Sequence, residues 1–181
     1  MTFPEMETPR GLREQALELQ RVAWPGLGGR RSHDPALRPV SMLLVEDGKV
    51  LASLDILSKE IVHAGVPYRA GGLSTVVAHL GARRQGHGRR LVRAARTAMA
   101  ASGLDLGLFT CDRPLLPFYE SAGWQHLPGT TLVGGTPSAP FPSDGPGFDK
   151  VTLGSFFTFT DHRSFVNARI DLYPGEIDKL W

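Results

Sequence analysis

Residues Arg83 to Val92 read RRQGHGRRLV, after the apolar stretch LSTVVAHL (73–80) and at the head of LVRAARTAMAASG (91–103). This passage constrains the fold more than any other. Six arginines and no acid lie between positions 83 and 96, so the segment repels itself unless something offsets the charge. Glycine costs about 1 kcal/mol relative to alanine inside a helix. Gly86 and Gly88 therefore mark a place that needs backbone freedom. An anion satisfies both features. A helix N-terminus presents unpaired N–H groups and the positive end of the dipole, and glycines let a bulky group approach the backbone. The unit reads as strand, anion-binding loop and helix, sized for a diphosphate with charge left for a further phosphate.

The flanking sequence supplies the rest of the fold. Leu12, Ala16, Leu19 and Val22 recur at helical spacing and predict a helix over 12–22. SMLLVEDGKVLASLDIL (41–57) holds two apolar runs around Glu46-Asp47-Gly48-Lys49, a hairpin signal. IVHAGVPYRAGGLSTVVAHL (61–80) repeats the theme, with a turn at 64–67. Leu91, Ala95 and Met99 line one face of a second helix, which Gly103 ends. LDLGLFT (104–110) reads as a short strand. PLLPFYESAGW reads as a helix starting near Pro114, because Pro117 is tolerated only in a first turn. Residues 128–149 are rich in glycine and proline and predict a long loop. VTLGSFFTFT (151–160) reads as a strand, and Asp161 as the cap of a last helix reaching about Ile170. The expected fold is α/β of the α+β type, a mixed, mostly antiparallel central sheet flanked by helices, in one domain over residues 1–181.

Composition excludes several classes. The net charge of +2 is too small to argue for nucleic acid, and no aromatics interleave the arginines. Cys111 is the single cysteine, which excludes an intrachain disulfide and a cysteine-only metal site. Histidines 33, 63, 79, 87, 126 and 162 show no metal-ligand spacing, so no metal is expected. No apolar run is long enough for a membrane helix, and MTFPEMETPR does not read as a signal peptide. A cytoplasmic protein without nucleic-acid or membrane partners is the expectation. Its oligomeric state is open between monomer and homodimer.

The loop lacks the Lys-Ser/Thr of a nucleoside-triphosphate loop, and Leu91 stands where a dinucleotide fingerprint has its third glycine. Arg83-x-x-Gly86-x-Gly88 after a strand resembles the acetyl-CoA signature of the GNAT superfamily of N-acetyltransferases. The resemblance implies that Arg83, Arg84, Gln85, Gly86, His87 and Gly88 hold the pyrophosphate of acetyl-CoA. It also implies that the backbone of Val76, Val77 and Ala78 pairs with the pantetheine arm. CDRPLLPFYESAGW (111–124) resembles the family's next element, a Phe-Tyr helix ending in Gly-aromatic. In that element the tyrosine, here Tyr119, gives a proton to the departing thiolate. A thiol pKa near 8.5 against about 10 for tyrosine makes the transfer reasonable. Cys111 as an acyl-carrying nucleophile is the competing idea, against a simply packed thiol. His79, on the cofactor strand, reads as a satisfied core histidine or a proton relay.

Within the superfamily the chain is similar to aminoglycoside 2'-N-acetyltransferases. The similarity lies in its length, the Gly/Pro/Asp segment after Trp124, the closing strand and helix, and an end in Asp then Trp. It implies that Asp149 (or Asp144), Asp178 and Trp181 grip a cationic amino sugar. Two positions depart from that pattern. Ser74-Thr75 stand where the family has an acid on the cofactor strand, and Asp178 is three residues from the terminal Trp rather than two. The general base is open, and so is the drug, an atypical one such as kasugamycin included. A protein N-terminus, a lysine or a small metabolite amine are alternative acceptors. A non-catalytic acyl-CoA sensor, which would need no Tyr119, is an alternative of another class.

Overall fold

Two Xaa-Gly turns organise the first half of the chain. The structure, a computed structural model, describes residues 1–25, 33–158 and 161–173. The chain opens with β1 (Thr2–Pro4), α1 (Arg10–Ala23), β2 (Val40–Glu46), β3 (Lys49–His63), β4 (Val66–Ala78) and α2 (His87–Ala101). It continues with β5 (Leu106–Asp112), α3 (Leu116–Glu120), β6 (Gln125–His126), β7 (Thr131–Thr136), β8 (Ala139–Pro142), β9 (Lys150–Phe156) and β10 (Arg169–Asp171). The result is a mixed, mostly antiparallel sheet flanked by a few helices, as expected. Contacts group the chain into two units that alternate in sequence. One is Met1–Ser58 with Leu73–Ala95; the other is Lys59–Gly72 with the described residues from Arg96 on.

In the first unit the strand order is β1-β2-β3-β4. Asp47 (φ 47°) and Gly48 (φ 74°) join β2 to β3, the left-handed pair that a two-residue hairpin turn requires. The α1 helix lays Ala16 on Leu43 and Val50, with Leu12 and Leu19 packed beside them. Val22, the fourth member of the predicted stripe, is exposed. Leu91 and Ala95 of α2 are buried as the helical spacing requires.

In the second unit the order runs β4-β5-β9-β6. Ala64 (φ 50°) and Gly65 (φ 77°) form the second hairpin turn. Beside it, β5 pairs parallel with β4 at Ala70–Leu106 and Gly71–Gly107. An antiparallel ladder joins β5 to β9 from Leu106–Phe156 to Asp112–Lys150. The core here is Phe109, Leu108, Leu153 and Trp124, with Phe109 edge-on to Trp124 at 4.7 Å. Gly107 leaves room for that indole: a Cβ there would lie 2.8 Å from two Trp124 ring carbons and 3.3 Å from Met99 Sδ. Gly107→Ala is therefore expected to destabilise the fold by about 1–3 kcal/mol through overpacking, read as a lowered urea midpoint. An unchanged midpoint would contradict this packing.

Three sequence expectations fail in the second unit. Residues 128–149 are not one long loop, because β7 and β8 form an antiparallel hairpin there. Its glycines serve close strand approach: a side chain at Gly135 would run into the Ala139 carbonyl. Pro140 and Pro142 sit on β8, an edge strand that tolerates them. The last helix does not form either. The Asp161 carboxylate accepts from the Arg163 N–H, but the turn it caps ends at Phe165. Asn167 then turns left-handed (φ 53°) and donates its N–H to the Pro128 carbonyl, and β10 pairs parallel with β7. Long-range pairing overrides the local cap. The strand expected over 151–160 ends at Phe156. Ahead of α1 the chain also carries β1, a short strand that the apolar pattern does not signal.

Candidate acetyl-CoA loop and a buried histidine–carboxylate cluster

The predicted loop turns in the way an anion site requires. After β4 a single helical turn, Leu80–Ala82, is capped by His79, whose Nδ1 accepts from the Gly81 N–H at 3.1 Å. His79 is thus satisfied but exposed, a capping residue and not a core one. Arg84 (φ 63°) and Gly86 (φ 82°) adopt left-handed backbone, a conformation uncommon for arginine and open to glycine. They redirect the chain so that α2 starts at His87, and the Arg90 N–H reaches the Gly86 carbonyl at 2.9 Å. Amides before Arg90 belong to the first turn, where a helix supplies no internal acceptor. The Gln85 amide is braced by the Gly81 carbonyl and by the His87 ring. Arg83, Arg84, Arg89 and Arg90 are exposed around this turn. Arg96 serves differently, donating from Nε to Ser155 Oγ at 2.6 Å. This donor-rich, acid-free turn fits the pyrophosphate of acetyl-CoA.

A cavity of about 510 Å³ opens beside the loop in the first unit. Leu19, Val22, Val50 and Val77 are among its walls, and Arg83 stands at it. Its size is that of a small-molecule site. Val77, Ala78 and Arg83, three of the predicted cofactor residues, line it. The exposed Val22 is one of its walls.

Tyr119 lies in α3 of the second unit and is buried, its ring edge-on to Phe109 and to Phe118 at 4.9 Å each. Burial pushes its hydroxyl well above the ordinary tyrosine range, and Cys111 and Asp112 push it further. The hydroxyl is thus a proton-bearing donor at every physiological pH. Complete transfer to a thiolate is less favourable than an ordinary tyrosine value implies. Burial also raises the Cys111 thiol to about 11, with Asp112 adding to the shift and Lys150 opposing it. At neutral pH that thiol is not a nucleophile.

Asp149 and Asp144 are already engaged. Asp149 Oδ1 accepts from Arg113 Nε at 2.7 Å in an exposed ion pair. Asp144 Oδ2 accepts from the Thr131 hydroxyl. Asp178 and Trp181 lie outside the described residues.

One group escaped the sequence reading. Glu5, His33 and Asp55 come together, one oxygen or ring nitrogen from each lying within 4.8 Å of the others. They meet Ser74 and Thr75, the two residues standing where an acid was expected. Positions 5, 33 and 55 share no spacing. The one available signal was an aspartate inside the apolar run LASLDIL.

A family profile described as "Acetyltransferase (GNAT) domain" matches residues 11–127. The chain belongs to this family and is an acetyl-CoA-dependent N-acetyltransferase. Comparison with curated protein sequences gives no significant match. Among solved structures, the chain is similar to an acyl-CoA N-acyltransferase from Pseudomonas aeruginosa, with 16% identity and a TM-score of 0.61, covering 85% of this chain and 96% of that one. It is similar to an aminoglycoside 6'-N-acetyltransferase complexed with coenzyme A, with 13% identity and a TM-score of 0.61, covering 89% of this chain and 99% of that one. A probable N-acyltransferase from Enterococcus faecalis shares 15% identity at a TM-score of 0.57, over 70% of this chain; the match spans only 32% of that longer protein. At these identities the likeness is one of fold. Among the described residues, no helix is long and apolar enough to cross a membrane.

Proposed function

We propose that this protein transfers the acetyl group of acetyl-CoA to a primary amine of an aminoglycoside antibiotic, the 2'-amine, and so confers resistance. The observation that carries the reading is the Arg83–Gly88 turn, left-handed at Arg84 and Gly86, which leads β4 into the N-terminus of α2. In this reading Arg83 to Gly88 bind the pyrophosphate and Val76 to Ala78 the pantetheine arm. Tyr119 is the acid that meets the departing thiolate. Ser74, Thr75, Asp149, Asp178 and Trp181 face the amino sugar. Asp149 would exchange its exposed partner Arg113 for a substrate ammonium, an exchange that surface ion pairs allow because they are worth about 0–1 kcal/mol. The acceptor assignment is supported by the resemblance to aminoglycoside 2'-N-acetyltransferases in the Gly/Pro/Asp segment after Trp124 and in Asp178 and Trp181. It is also supported by a structural neighbour that acts on aminoglycosides, although that neighbour is a 6'-enzyme. The protein is placed in the cytoplasm, where drug and acetyl-CoA meet.

Expression in an aminoglycoside-susceptible bacterium tests this. The inhibitory concentration of tobramycin or kasugamycin is expected to rise several-fold. A copy truncated before Leu180 should protect less. Unchanged susceptibility across an aminoglycoside panel, with soluble protein present, would remove the antibiotic as acceptor and leave peptide or metabolite amines.

A further inference from the structure

Side chains from four separate stretches of the first unit converge on the bend in β4. Glu5 follows β1 and is 7% exposed; Asp55 lies on β3 and is 6% exposed. The Glu5 carboxylate accepts the His33 backbone N–H at 3.1 and 3.3 Å, one contact to each oxygen. Its Oε1 is also 3.2 Å from His33 Nδ1. On the other side of the ring, Nε2 is 3.2 Å from Ser74 Oγ. Asp55 accepts hydroxyl protons from Ser41 and Thr75 at 2.5 Å each. Thr75 is left-handed (φ 50°), a strained state for a β-branched residue.

A carboxylate has no proton to give, so Nδ1 carries the hydrogen and donates it to Glu5. In the neutral ring Nε2 is then an acceptor, and the Ser74 hydroxyl donates to it. Carboxylate, imidazole and hydroxyl in this order form an activated hydroxyl. We propose that Glu5, His33 and Ser74 form the proton relay that deprotonates the acceptor amine. The proposal rests on the acetyl-transfer reading above. In that reading the cofactor arm runs from Gly86–Gly88 past Ala78–Val76, and its acetyl end reaches Ser74 and Thr75 next. Ser74 thus stands where the sequence reading left the base open.

The step balances. An ammonium N–H bond breaks and its proton goes to Ser74 Oγ, as the Ser74 proton passes to His33 Nε2. The nitrogen keeps the electron pair and attacks the thioester carbonyl. The C–S bond breaks and its electron pair leaves with sulfur. Tyr119 gives its proton to that thiolate and is reprotonated by the second nitrogen proton, and the His33 imidazolium returns its proton to solvent. Among the described residues, Glu5 and Asp55 are charged groups that face the imidazolium, and both favour it. A metal ion held by the same three side chains is the competing use. It would have to displace hydrogen bonds that Glu5, His33 and Asp55 already make.

The test is His33→Gln, assayed with acetyl-CoA and tobramycin, or with benzylamine if tobramycin is not acetylated. At neutral pH kcat/KM is expected to fall about 10²–10⁴-fold, the usual scale for a lost general base. CoA affinity and Tm should hold. The defect should shrink as pH rises, because solution then supplies free amine. If His33→Gln does not fold, Ser74→Ala carries the same assay. Wild-type kcat/KM, a loss that does not vary with pH, an acetyl group found on Ser74, or stoichiometric bound metal would each overturn the relay. If neither amine is acetylated, the acceptor reading fails and the relay is decided by nitrogen NMR of His33 in the wild-type protein. An Nδ1–H tautomer supports it and an Nε2–H tautomer overturns it.

Discussion

A Gly88→Val protein is expected to fold as the wild type does and to bind CoA at least a hundred-fold more weakly. Gly88 is the second residue of α2 and is only partly buried. The branched valine side chain would stand over the first-turn amides and keep a pyrophosphate away. Hydrogen bonds to charged groups are worth about 1.5–3 kcal/mol each. Losing two of them weakens binding by about 10²–10⁴-fold. Gly86 would be a less clean test, since its φ of 82° strains any side chain whether or not ligand is present. Calorimetry of CoA binding decides the point. Unchanged affinity in folded Gly88→Val would mean that the pyrophosphate does not lie on this turn.

Tyr119→Phe is expected to keep the fold and the CoA affinity while turnover falls about 10²–10⁴-fold, the usual contribution of a general acid. The ring contacts with Phe109 and Phe118 do not use the hydroxyl, so packing survives. The pH profile carries a further expectation. The acid must be protonated to act, and burial raises the Tyr119 pKa. The wild-type enzyme should therefore not lose this acid as pH rises through the ordinary tyrosine value of about 10. Wild-type turnover in the Phe variant, with chemistry shown to limit the rate, would remove Tyr119 from the mechanism. The raised Cys111 thiol already argues against an acyl-cysteine route.

What could be read from sequence was what local chemistry decides. Asp47-Gly48 and Ala64-Gly65 adopt left-handed backbone, so both hairpins were visible as turns. The arginine-glycine passage was visible because charge density and glycine spacing coincide in one short segment. The β7–β8 hairpin was not, because glycine and proline read as loop wherever the partner strand that needs them is unknown. The expected last helix failed for a similar reason. Asp161 does cap a turn, but hydrogen bonds from Asn167 and Thr131 across the chain outweigh its continuation. The Glu5–His33–Asp55 cluster was the least legible, since three distant positions meet only through strand pairing and a histidine after α1. Ser41 faces Asp55 across the β2–β3 ladder, a pairing shifted by the irregularity at Leu44/Val45.

The central claim is that acetyl-CoA bound at the Arg83–Gly88 turn acetylates an aminoglycoside amine directly. Mass spectrometry of an aminoglycoside panel incubated with purified protein and acetyl-CoA tests it most directly. The account predicts one acetyl group added to the drug, located on the 2'-nitrogen by NMR of the product, with no acetylated protein. Peptides carrying free N-termini and lysines should stay unmodified in the same tubes. Acetylated peptides beside unmodified drugs, or no acetyl transfer to any amine despite measurable CoA binding, would contradict it.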